Sequence, residues 1–87
     1  MKGKGVIMSM DTAEAFELLF DKNNKTAYRA LQELQKESVE TDKVYPYMDR
    51  LGDMLDSDNS YIRTRGLTLI AYNARWDKDN KIDEIID

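Results

Sequence analysis

The chain has 87 residues, 41% of them hydrophobic and 34% charged, and a net charge of −4 at neutral pH. That describes one small domain with a modest core, and the acidic balance weighs against a nucleic-acid binder, which normally carries a basic excess. Cysteine and histidine are both absent, which removes disulfides, thiolate chemistry, imidazole bases and the commonest zinc ligands.

Residues 1–10 read as a flexible lead-in, because Gly3 and Gly5 break any regular pattern. Val6-Ile7-Met8 is far too short for a secretory apolar region. No apolar run approaches the ~20 residues of a membrane span, so a cytoplasmic location without membrane contact is expected. Asp11-Thr12-Ala13-Glu14 reads as a helix start, an acidic cap with Glu three residues later. This first helix runs to about Phe20, with Ala15, Phe16, Leu19 and Phe20 on its buried face. Asn23-Asn24 supplies turn and cap chemistry. A second helix follows from about Lys25 to Glu37, with Ala27, Ala30, Leu31 and Leu34 spaced for one face.

Val39 to Lys43 is a charged connector. The third helix spans about Val44 to Leu55, with Val44, Tyr47, Met48, Leu51 and Leu55 forming its stripe. Pro46 falls in the first turn, where its missing amide has no partner to lose. The fourth helix runs from about Ser60 to Trp76, and Ile62, Gly66, Leu69, Ile70 and Asn73 share its inner face. Gly66 costs about 1 kcal/mol against alanine in a helix interior. The expected compensation is a close neighbouring helix where any side chain would clash. After an Asp77–Asn80 connector, Ile82, Ile85 and Ile86 open a fifth helix, against which Trp76 reads as a core plug.

The chain repeats itself. An apolar helix end, an Asp/Asn turn and a second helix occur at Asp21 to Leu31 and again at Asp56 to Leu67. The Asp-led turns lie 35 residues apart, whereas Arg29/Arg65, Ala30/Gly66, Leu31/Leu67 and Leu34/Ile70 align at 36, which predicts one extra residue in the second turn. Self-similarity at this period is the signature of stacked helix pairs. The expected fold is therefore all-α: stacked antiparallel helical hairpins, an α-solenoid fragment of about two repeats plus the start of a third. The lead-in covers 1–10 and the repeat domain 11–87, with hairpins at 11–38 and 44–76 and a further helix starting in 80–87.

The second unit, with Asp58, Ile62, Arg63, Gly66, Leu69 and Ile70, resembles the HEAT-type helical repeat. That pattern is an Asp-containing turn, an aliphatic residue followed by Arg, a small residue three positions on, and then leucines. The first unit keeps Asn23, Ala30, Leu31 and Leu34, with Ala27 where the arginine falls. The resemblance implies a right-handed stack of hairpins used for binding and brings no catalytic residue with it.

Arg63 with Asp56 or Asp58 reads as a turn-to-helix ion pair ordering the repeat, and Gly66, Leu69 and Ile70 as its core. The Asp56–Ser60 and Asp77–Lys81 stretches look like openings of a calcium loop, but the first lacks the glycine at position six and the glutamate at twelve. No metal, cofactor or catalytic residue is expected. The candidate partner-binding strips are Tyr28, Arg29 and Gln32 on the second helix and Arg65, Thr68, Tyr72 and Arg75 on the fourth. Arg and Tyr are enriched in interface hot spots, and truncating Arg65 or Tyr72 is expected to weaken binding without changing stability. The expected function is a non-catalytic protein-interaction or scaffold module with a concave surface and an unidentified protein partner. Two alternatives stand beside it: nucleic-acid binding by the same basic and aromatic residues, and a purely structural fragment of a longer solenoid.

Overall fold

The computed structural model describes residues 11–86; the expected lead-in at 1–10 lies outside them, as does Asp87. The described residues are all-helical: α1 Thr12–Leu18, α2 Asn24–Glu40, α3 Met48–Met54, α4 Ser60–Asn73 and α5 Lys81–Ile86. Short 3-10 turns at Tyr45–Tyr47 and Ala74–Trp76 lead into α3 and extend α4. Pro46 sits in the first of these turns, so the expected third helix is split in two.

Cap chemistry explains the boundaries. Asn23 accepts the amides of Lys25 and Thr26 to start α2, and Asn59 accepts that of Tyr61 to start α4. Two residues before each cap, the Asp21 carboxylate and the Ser57 hydroxyl accept the amide of the coming cap. Ser57, not Asp56, therefore plays the part of Asp21. With Leu19 and Leu55 as the helix ends, the spacing is 36 throughout. The one-residue insertion expected from the Asp-led turns does not exist. α1 and α3 begin at Thr12 and Met48 and end at Leu18 and Met54, again 36 apart.

α1 packs on α2, α3 on α4, α2 on α4, and α5 on α3. The shared core comprises Ala15, Phe16 and Leu19 of the first pair's leading arm, Ala30, Leu31 and Leu34 of α2, and Leu69 and Ile70 of α4. Val44, Met48, Leu51 and Met54 complete it. Phe20, expected inside, is 40% exposed and meets Phe16 only edge-on. Met54, not Leu55, takes the buried place at the end of α3. Phe16 reaches the α3 arm through Tyr47, at 4.7 Å between ring centroids, and lies under the Arg50 guanidinium at 4.6 Å.

Polar groups join the two long helices. Asn73 donates to the Ser38 hydroxyl at 3.0 Å and to the Leu69 carbonyl, while Ser38 donates to the Leu34 carbonyl. The Trp76 indole N–H donates to the Ser38 carbonyl at 2.8 Å. Trp76 thus ties the end of α4 to the end of α2. These bonds also explain why α2 continues to Glu40 through Glu-Ser-Val-Glu, a stretch with little helical bias of its own.

Asp77 holds the last helix. Its carboxylate accepts the amides of Lys81 and Ile82 at 2.9 and 3.1 Å, and the Tyr45 hydroxyl at 2.7 Å. The Tyr45 bond is the largest influence holding the Asp77 carboxyl below its ordinary range, with the two amides and Lys81 adding to it. The same bond, helped by desolvation and the nearby negative charge, pushes the Tyr45 phenol up to about 12. Asp77's contribution is complete above the ordinary carboxylate pKa and is lost as pH falls through its depressed value. Tyr45's contribution is complete below the ordinary phenol pKa of about 10 and is lost as pH rises toward 12. In an alkaline titration followed by tyrosinate absorbance, one of the five tyrosines should therefore ionise last, near pH 12. Asp77→Asn should bring that late step back toward about 10. A wild-type titration with no late step would remove the bond from the solution structure.

Candidate interaction groove

The N-terminal halves of α2 and α4 border an open groove of about 590 Å³. Asn24, Lys25, Tyr28 and Leu31 form its α2 wall, and Ser60, Tyr61, Thr64 and Arg65 its α4 wall. Helical spacing explains each wall, since 24, 28 and 31 on one helix, and 61, 64 and 65 on the other, fall on single faces. Tyr28 and Tyr61 are 57% and 60% exposed, so both rings stand open at the rims.

Arg65 does not project as a free cation. It is 7% exposed and donates to the Leu19 carbonyl at 2.9 Å and to the Asn24 side-chain oxygen at 3.2 Å. Its guanidinium lies 5.7 Å from the Tyr61 ring centre. Leu19 caps the C-terminal end of α1, where helix carbonyls carry partial negative charge, so a cation is favoured there. The groove floor is thus a structural arginine with its head group engaged, and the expectation that its removal leaves stability unchanged is withdrawn.

The other candidates scatter. Tyr28 lines the groove; Arg29 and Gln32 are exposed on α2 outside its lining. Thr68 is half-buried and spends its hydroxyl on the Thr64 carbonyl at 2.8 Å. Tyr72 is half-buried toward the far end of α4. Arg75 is exposed beyond it, 3.5 Å from the Val39 carbonyl. Helices α2 and α4 do pack on each other, but of the candidates only Tyr28 and Arg65 line the groove between them. Tyr61 is a groove residue that the sequence does not single out, although it stands one helical turn before Arg65 and shares its face.

Arg63 also departs from its expected ion pair. It donates to the Ser57 backbone carbonyl at 2.7 Å, and among the described residues neither Asp56 nor Asp58 forms an ion pair with it. Asp56 and Asp58 are both exposed, and the expected Asp–Arg rung is replaced by a bond to backbone.

The charge layout favours one side. α4 contains no Asp or Glu at all, and α2 has none before Glu33. The groove lining likewise has no carboxylate, although the chain carries 17 acidic residues. No described helix is long and apolar enough to cross a membrane.

Compared with family models, curated proteins and solved structures, the chain matches none.

Proposed function

We propose that the chain is a non-catalytic protein-interaction module, HEAT-like in build, whose α2/α4 groove takes an acidic amphipathic helix from a protein partner. The observation that carries this reading is the open groove with Tyr28 and Tyr61 exposed on opposite rims above Leu31. Exposed apolar clefts of this kind mark interaction sites on small proteins, and tyrosine is enriched where binding energy concentrates. A lining free of carboxylates, with Lys25 in it and Arg29 beside it, favours an acidic partner over a basic one. The 36-residue recurrence of helix starts and caps supports stacked hairpins, in which second helices share a face.

A photo-crosslinking residue in place of Tyr28 tests this in cells. It should trap one dominant protein, and Tyr61→Ala should abolish the cross-link while shifting stability by less than about 0.5 kcal/mol, as for exposed sites generally. The same probe at Glu14, exposed on α1, should trap nothing comparable. Cross-links to nucleic acid, with binding that falls steeply as salt rises, would overturn the reading in favour of a phosphate-binding face.

A further inference from the structure

Leu67 is 53% exposed, whereas Leu31, its counterpart 36 residues earlier, is 8% exposed. The difference is α4, which packs on α2 and covers Leu31. Among the described residues no helix covers the corresponding flank of α4. What remains there is a depression of about 490 Å³ lined by Leu55, Arg63, Thr64, Leu67 and Ile85.

All but Ile85 of these stand 36 residues after Leu19, Ala27, Tyr28 and Leu31. In the first pair, Leu19 and Ala27 are 0% exposed and Leu31 is 8% exposed. The molecule itself therefore displays what fills such a seat. It is a helix that brings an arginine to the carbonyl ending the previous pair's first helix, and an aliphatic pair a turn later. Arg65 on the Leu19 carbonyl, followed by Leu69 and Ile70 in the core, is that arrangement.

We propose that the Leu67 flank docks a helix of a partner chain carrying an α4-like face: a long cation for the Leu55 carbonyl, then aliphatic residues four and five positions on. The surroundings strengthen the preference for a cation. Asp56 and Asp58 flank this turn, and neither forms an ion pair among the described residues. In the first pair, Asp21 is instead spent on the Asn23 amide. A second copy of this chain cannot supply the face, because its own Arg65, Leu69 and Ile70 are buried. Arg63 replaces Ala27 at the rim, so the docked helix presents a small or acidic residue there. The seat adjoins the α2/α4 groove at Thr64 but is otherwise lined by different residues, so changes at Leu67 and at Tyr28 test the two separately.

The probe is a fluorescent synthetic peptide with the chain's own sequence from Asn59 to Trp76, titrated into the intact protein and followed by anisotropy. Saturable binding is expected, with the affinity weakened about tenfold or more by Leu67→Glu in the protein or by Arg65→Ala in the peptide. Tyr28→Ala in the protein should leave it unchanged. Because Leu67 is exposed, the Leu67→Glu chain should melt like the parent. Peptide-induced NMR shifts at Leu55, Leu67 and Ile85 of the unmodified protein provide a second readout. Absence of saturable binding overturns the proposal. So does binding indifferent to Leu67→Glu, which would mean that the peptide displaces the chain's own α4. Self-association lost in Leu67→Glu without peptide binding would overturn it in favour of a copy-to-copy interface.

Discussion

Gly66→Leu should cost about 3 kcal/mol or more, the upper end of overpacking effects. For a domain of this size, that lowers the melting temperature by roughly 12–24 °C. The reason is the approach of α3 to α4. A Cβ placed on Gly66 would stand 2.8 Å from the Met54 Cβ and 3.0 Å from the Leu51 carbonyl oxygen. Neither atom is the free end of a flexible side chain, so relief requires α3 itself to move. Gly66→Ala therefore poses a contest between two effects. Alanine gains about 1 kcal/mol in helix propensity, while the clash costs about 1–3 kcal/mol. The clash should win by a small margin.

The first helix pair provides the control. Ala30 occupies the position of Gly66 36 residues earlier, is fully buried, and carries a methyl group without difficulty. Ala30→Gly should thus lose about 1 kcal/mol, opposite in kind to the change at Gly66. Chemical denaturation of these variants would separate the effects. A Gly66→Ala chain more stable than the parent would show that α3 yields easily and that the close approach is incidental.

Gly66 was legible in the sequence because a glycine inside a strongly apolar helix sacrifices stability that a closely packed neighbour can return. The stripes of α2 and α4 were legible for a related reason: a helix that buries one face must repeat apolar residues near every 3.6 positions. The turns were harder. Asp56 resembles Asp21 in type, yet the hydrogen bond to the coming cap is made by Ser57. Residue identity suggested a 35-residue spacing where cap geometry keeps 36. Ser38 and Trp76 meet across the fold, and no local pattern announces such a pair.

The groove was half legible. Tyr28 was visible as an exposed aromatic on a helix face, but Tyr61 matters only because its ring lies opposite and beside Arg65. The chief error concerned Arg65 itself. Helical periodicity treats arginine as a solvated residue, whereas its long stem packs on apolar surface while the head reaches distant acceptors. Its partner, the Leu19 carbonyl, lies 46 residues earlier in the chain.

Arg65→Ala should therefore destabilise the chain by about 1.5–3 kcal/mol, the range for hydrogen bonds to a charged group. Two acceptors lose their donor at once, the Leu19 carbonyl and the Asn24 side chain. The Leu19 carbonyl is the more serious loss, because it ends α1 in a buried place. Arg65→Lys should recover part of the loss by keeping a cation at the end of α1. It should not recover all of it, since a single ammonium lacks the planar fork that reaches two acceptors in fixed directions. The ranking expected in thermal melts is parent, then lysine, then alanine, with Tyr61→Ala close to the parent. Amide exchange should localise the damage, with α1 opening more readily than α3 in the alanine variant. If Arg65→Ala melts with the parent, the guanidinium spends its time in solvent and the groove floor regains a free cation. Equal protection of α1 and α3 would mean that Arg65 stabilises the core through packing alone and not by capping α1.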